Sequence, residues 1–331
     1  MNRDGTLFLT GRDVTELLSM KACIDAVREA FRLHGEGKAA PPGVLGTHVE
    51  GGGFHIKAAA LKLKRAYFAA KVNANFPQNP ARWKLPTIQG MAVLCDASNG
   101  QPLAIMDSIE ITALRTAAAT AVAAECLARP DARVATIVGC GKQGRAQLRA
   151  LAEMRKLEHA FAFDIDEACA RMFAHEMRDQ LEIEVTDVQD LKAATRQSDI
   201  CVTCTPATRA FLSRESVSPG AFIAAVGADN EYKQEIEPSL LASSKVVVDV
   251  LEQCATIGDL HHALDAGFVK RSDVHAELGE VVAGRKPGRT SKDEIIVFDS
   301  TGMALQDVAA AAEAYENAVD AGRGLKLALA V

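Results

Sequence analysis

The chain has 331 residues, 48% of them hydrophobic and 24% charged, with a formal net charge of −6. That length suits about two domains with a sizeable core, and the acidic balance argues against a nucleic-acid or anionic-membrane partner, which would want a basic face. No apolar run of about 18 residues is present to span a bilayer, and "MNRDGTLFLTGRD" lacks the apolar core and cleavage site of a signal peptide, so a cytoplasmic location is expected.

In chain order, "TGRDVTELLSMKACIDAVREAFRLHGEGK" is expected to be helical, with Thr10 as an N-cap and Gly35 or Gly37 as a stop. Strand-like runs follow: "GVLGTHVE", "GFHIKAAAL", "YFAAKVNANF" and "GMAVLCDASNGQPLAIMD", the last holding the hairpin signal Asn99-Gly100. "TALRTAAATAVAAECLA" reads as an Ala-rich helix. From residue 131 the pattern becomes regular. The strand "ARVATIVG" ends in glycines, "GRAQLRALAEM" is a helix, "HAFAFD" a second strand and "DEACARMFAHEMRDQ" a second helix. Further strands are "EIEVTD", "DICVTCTP", "AFIAAVGA", "KVVVDV" and "EIIVFDS". Strands alternating with helices or loops imply a mostly parallel, doubly wound sheet covered on both faces. The expected fold class is therefore α/β: a Rossmann domain over 131–303 and an α+β N-terminal domain over 1–130. The C-terminal stretch 304–331, helical through "GMALQDVAAAAEAYENAVDAG", is expected to pack back on the latter.

Gly139, Gly141 and Gly144 spell G-x-G-x-x-G between a predicted strand and a predicted helix. The motif alone is weak; its setting strengthens it. Gly139 allows the tight turn, Gly141 lets backbone approach a pyrophosphate, and Gly144 lets helix pack on strand. The helix N-terminus adds N–H donors and positive partial charge. Asp164 ends the next strand, 20 residues after Gly144, where a ribose-binding carboxylate belongs. It should favour NAD over NADP, since it can bond a 2′-hydroxyl and would repel a 2′-phosphate. Asp166 is the alternative, because strand ends are uncertain by a few residues. Lys142 and Gln143, in the same turn, join the candidate cofactor contacts. So do Thr205, Val226, Ser300 and Gly302.

Two other patterns weigh less. Cys201 and Cys204 have CxxC spacing, but on a strand they face opposite sides of the sheet, and no second CxxC follows. His261, His262 and His275 show no acid–His spacing of a zinc site. No metal is expected. No G-x-S-x-G elbow or P-loop lysine is found.

Four stretches carry a resemblance: "KVNANFP" at 71–77, "ITALRTAAATAVAA" at 111–124, "VGADNEYKQEI" at 226–236 and "FDSTGMALQD" at 298–307. Together, and in this order, they resemble the ornithine cyclodeaminase/mu-crystallin family over most of the chain. The resemblance implies a Rossmann domain with an N-terminal domain whose sheet helps form a homodimer. It implies a bound NAD(H) or NADP(H), and an amino acid and its imine as substrates. By the same resemblance, Lys71 and Arg115 hold the substrate carboxylate, with Lys71 counted among the catalytic groups. Thr87 lies beside them, and Asp229 is the acid/base. The chemistry agrees in kind. An α-imino acid needs cations for its carboxylate, and Arg offers a bidentate fork. It also needs a group to exchange a proton with nitrogen, which a carboxyl of raised pKa can do.

Two positions depart from the family pattern. Gly43 stands where a basic residue is common in the family. Lys57 stands where a cyclodeaminase carries glutamate for a distal ammonium; a lysine would repel that ammonium and suits a carboxylate. The expected activity is therefore NAD-dependent oxidoreduction at the C–N bond of an α-amino or α-imino acid, by imine reduction or by reductive amination of an α-keto acid. A cyclodeaminase that uses bound NAD and releases ammonia is one alternative. A non-catalytic ligand-binding protein is another.

Overall fold

Thr10 caps the first helix as its sequence suggests: its hydroxyl accepts from Asp13 N–H while the Asp13 side chain reaches back to Thr10. In the computed structural model, which describes residues 5–329, that helix spans Gly11–Leu17 and a second, capped by Ser19, spans Met20–Gly35. The chain divides into two compact units. One comprises the residues up to Arg115 together with those from Met303 onward; the other is Thr116–Gly302. The division falls inside helix Ser108–Leu127, not at residue 130, because that Ala-rich helix runs unbroken through it.

The first unit is built on a seven-stranded sheet. Its spatial order is Leu325–Leu327, Thr6–Leu9, Pro102–Asp107, Ile88–Asp96, Ala66–Asn75, Gly52–Lys62 and Gly43–Val49. Pairing is antiparallel except between Thr6–Leu9 and Pro102–Asp107. The Asn99-Gly100 turn closes one hairpin, with Gly100 at φ 77. Period-two alternation gives the sheet two unlike faces. Ala59, Leu61, Tyr67, Ala69, Lys71, Ala92 and Leu94 are buried on one. Phe54, Phe68 and Met91 are exposed on the other. Helix Ala304–Asp320 covers the buried face, contacting Gly52–Lys62 and Ala66–Asn75, and packs on helix Met20–Gly35. Its run of alanines, buried from Ala309 to Ala312, brings the backbones close.

The second unit holds an eight-stranded sheet whose pairings are all parallel. Its order is Ala276–Glu277, Lys245–Val248, Ile296–Asp299, Phe222–Ala225, Ile200–Thr203, Val134–Val138, His159–Phe163 and Glu184–Asp187. Strands at its centre are buried along their whole length, as a sheet covered on both faces requires. The strand order reverses between Val134–Val138 and Ile200–Thr203, the place where doubly wound sheets bind ligands. Among the described residues, no helix is long and apolar enough to cross a membrane.

Candidate functional site

The glycine loop begins where Val134–Val138 ends. Gly139 takes φ 99, a conformation closed to most side chains. A Cβ on Gly144 would lie 2.1 Å from the Gly139 carbonyl oxygen, so only glycine lets the helix sit this close to the strand. A Cβ on Gly141 would meet nothing within 4 Å. Gly141 therefore borders open space, and it caps helix Lys142–Met154 without a side chain to accept from the first turn. An anion fits there against N–H groups and the positive end of the helix. The adjoining cavity, about 680 Å³, is lined by Gly139, Asp164, Ile165, Leu191, Thr205 and Phe211 among others.

Asp164 does two things in this loop. Its Oδ2 accepts from Cys140 N–H at 2.8 Å and its Oδ1 from Asp166 N–H at 3.0 Å. The carboxylate thus ties the second strand to the glycine turn, and Asp164 lines the adjoining cavity. Asp166 is otherwise engaged: its side chain accepts from Ala168 and Cys169 N–H and caps helix Glu167–Leu181.

Buried carboxylates that the sequence reading passed over hold the neighbouring loops. Glu235 Oε1 accepts from Thr205 N–H and Oγ1, both at 2.7 Å. Its Oε2 accepts from Thr203 Oγ1 at 2.7 Å and Gly227 N–H at 3.0 Å, beside Val226. Asp249 Oδ2 accepts from Ser300 Oγ at 2.8 Å and Gly302 N–H at 2.6 Å. Asp259 accepts from Glu235 and Ile236 N–H, and Asp299 from Leu260 and Asp259 N–H. Burial raises the pKa of Glu235, Asp259 and Asp299. Asp229 differs from this group. Its side chain is 54% exposed and ion-paired with Lys233 at 2.7 Å.

Cys201 is buried in the sheet, and Cys204 Sγ donates to the Val138 and Gly139 carbonyls. The three histidines meet backbone carbonyls: His261 that of Gly258, His262 that of Lys233, His275 that of Pro287.

The first unit brings together the predicted cations. Lys71, on Ala66–Asn75, is 3% exposed, and Arg115, on helix Ser108–Leu127, is 5% exposed. Both bond one oxygen of Asp307, which lies in the first turn of Ala304–Asp320. Lys71 Nζ donates to Asp307 Oδ1 at 2.8 Å and to Thr112 Oγ1 at 3.2 Å. Arg115 Nε donates to the same Oδ1 at 2.9 Å, and its Nη1 to Gln306 Oε1 at 3.1 Å. Lys57 pairs directly across from Lys71 in the sheet, on the same face. Burial lowers the Lys71 pKa to about 7, helped by the charges of Arg115 and Lys57 and opposed by Asp307. Burial pushes the Asp307 carboxyl up, but Lys71 and Arg115 outweigh it and hold the group below its ordinary range. Thr87 stands just before Ile88–Asp96, its carbonyl accepting from Phe76 N–H at 2.8 Å. Gly43 lies opposite Ala58 at the sheet edge. Asp307 sits in the quoted motif "FDSTGMALQD", but its partners lie far off in sequence.

Comparison with known proteins bears on this arrangement. The profile of the ornithine cyclodeaminase/mu-crystallin family matches residues 5–322. Alanine dehydrogenase of Archaeoglobus fulgidus is 40% identical over 322 residues, covering 97% of this chain and 98% of that protein. Among solved structures, an archaeal alanine dehydrogenase dimer with bound NAD superposes with a TM-score of 0.94 at 39% identity, covering 98% of this chain and 99% of that one. Delta(1)-pyrroline-2-carboxylate reductase of Thermococcus litoralis, in complex with NADH and L-proline, gives 0.92 at 35% identity, covering 97% and 100%.

Proposed function

The chain belongs to the ornithine cyclodeaminase/mu-crystallin family, and from that premise we propose that it is an NAD-dependent oxidoreductase acting on the C–N bond of an α-amino or α-imino acid. The observation that carries this reading is the buried pair Lys71 and Arg115, which share one carboxylate oxygen with Lys57 alongside. Lys71 and Arg115 place two cationic side chains against one carboxylate in a place with little water. Burying that charge is costly unless an anion completes the site, and an amino-acid carboxylate does so with hydrogen bonds to spare.

The glycine loop and Asp164 would hold NAD. When bound, the nicotinamide supplies or accepts the hydride at the substrate α-carbon. Lys71 and Arg115, with Lys57 beside them, orient the substrate through its carboxylate; for Thr87 only the family resemblance supports a part in the site. Asp229 delivers a proton to the substrate nitrogen or removes one from it. Loops tied by Glu235 and Asp249 keep Thr205, Val226, Ser300 and Gly302 in place at the ends of their strands. The unit Thr116–Gly302 is the cofactor-binding part, and the other unit is the substrate-binding part.

The open face of the seven-stranded sheet, with Phe54, Phe68 and Met91 exposed beside Val44 and Leu45 of its edge strand, supports a homodimer formed through this sheet. The described cysteines are all free, which suits a cytoplasmic setting.

Lys57 speaks against the cyclodeaminase alternative, since its ammonium would meet the distal ammonium of ornithine or lysine. Retention of Asp229 with Lys71 and Arg115 speaks against a binding protein alone. The test is a panel of 2-oxo acids with ammonia or methylamine, and of cyclic imino acids, each with NADH. Oxidation of NADH by some of these supports the reading. Failure with all of them, together with proline and ammonia formed from ornithine and NAD, would replace it by cyclodeamination.

A further inference from the structure

Asp307 is the residue this arrangement depends on most. It is 2% exposed, and its Oδ1 receives both Lys71 Nζ and Arg115 Nε. Its Oδ2 is buried and finds no hydrogen-bond partner among the described residues. It lies in the first turn of a 17-residue helix, where the helix dipole favours negative charge. That helix is seated on the strand that carries Lys71.

Resting on the reading that Lys71 and Arg115 grip the substrate carboxylate, we propose that Asp307 is a positioning residue: through one shared oxygen it sets the spacing of these two cations and supplies the counter-charge that lets them stand side by side. The donor count supports this. An ammonium has three N–H groups and a guanidinium five. The bonds to Asp307, Thr112 and Gln306 use two of each. The others are left to converge on a substrate carboxylate. A purely structural clamp would have no need to place two cations on one oxygen and leave the other oxygen unused.

The charges facing Lys71 come from three elements. Asp307 comes from the helix above, Arg115 from helix Ser108–Leu127 and Lys57 from the neighbouring strand. Ala92, opposite on the other side, has no charge. Among the described residues named here, Asp307 supplies the negative charge that raises the Lys71 pKa, so its removal drives Lys71 toward the neutral amine.

The experiment follows Lys71 directly. NAD-saturated enzyme labelled with 13C at lysine Cε is titrated by NMR, with Lys71→Met to assign the signal. In wild type the Lys71 midpoint should lie well below that of a free lysine, near pH 7. In Asp307→Asn it should fall by about one pH unit or more, with KM for the imino acid raised about tenfold or more. Asp307→Glu restores the charge but moves it by one methylene. It should return the midpoint toward that of wild type and still raise KM. An unchanged midpoint in Asp307→Asn would overturn the proposal. Should that variant not fold, wild-type KM and kcat in Asp307→Glu would overturn it equally. The titration needs no turnover, so an enzyme inactive on every amino or imino acid would defeat the proposed reaction while leaving this test in force.

Discussion

Replacing Asp164 by serine should do more than relax cofactor choice. A selectivity residue alone would change only the comparison of NAD with NADP. Here the carboxylate also accepts from Cys140 N–H at 2.8 Å and so holds the glycine turn. A hydrogen bond to a charged group contributes about 1.5–3 kcal/mol, and serine is too short to keep it. Loss of the ribose contact removes a second bond of the same kind, so the summed loss for NADH is about 3–6 kcal/mol at most. Part of the first loss falls on the free enzyme, which reduces the effect on binding to roughly 2–3 kcal/mol, or about 30–150-fold in Kd. For NADPH the loss of the turn is offset. A carboxylate about 4 Å from a phosphate charge costs about 1 kcal/mol per unit charge in water and more where water is scarce. Its removal should leave NADPH affinity within about tenfold of wild type. Fluorescence titration of both reduced cofactors against both proteins measures all four constants. A wild type that prefers NADPH, or a serine variant that binds NADH undiminished, would refute the assignment.

Gly144→Ala places a methyl 2.1 Å from the Gly139 carbonyl. Backbone must move, at about 1–3 kcal/mol, and NADH affinity by calorimetry should fall about tenfold or more. Asp229→Asn keeps size but cannot exchange a proton; turnover should drop about 10²–10⁴-fold with cofactor affinity unchanged, and near wild-type turnover would remove Asp229 from the mechanism. Because burial lowers the Lys71 pKa to about 7, the free enzyme loses that positive charge as pH rises through about 7. The kcat/KM for an anionic imino acid should therefore fall above that pH, and Lys71→Arg, permanently charged, should be slower but lack this limb of the profile. Lys57→Glu reverses the sign of a charge opposite Lys71. It should shift preference toward ornithine and lysine over neutral and acidic amino acids, which competition assays with mixed substrates would show; an unaltered preference would mean that Lys57 does not face the substrate.

The parts of this molecule that were legible in sequence are those whose requirement is local. Gly139 and Gly144 answer to the backbone within a few residues, and the apolar run around Lys71 marks the strand Ala66–Asn75; which face is covered was not legible, since Phe68, Ala70 and Val72 lie on the open face and Lys71 on the covered one. Asp307 was hidden because its partners, Lys71 and Arg115, are 236 and 192 residues away. Glu235 and Asp249 were hidden for the same reason. A signal was present in part: Asp299 ends a strand that is otherwise wholly apolar and Asp249 directly follows the run Val246–Val248, and a carboxylate so placed must find donors. That Asp166 caps the following helix could be seen only in the structure, since both Asp164 and Asp166 follow the same strand. Leu325–Leu327 is too short and too exposed to leave a periodic trace; it exists because Thr6–Leu9 offers it an edge.

The central claim is that hydride passes between the bound nicotinamide and the α-carbon of an amino or imino acid. Its most direct measurement uses NADH with both hydrogens at C4 replaced by deuterium and the best substrate of the panel, followed by mass spectrometry and NMR of the product. The account predicts one deuterium per turnover, bonded to the α-carbon of the amino-acid product. An amino-acid product without deuterium at that carbon would contradict it.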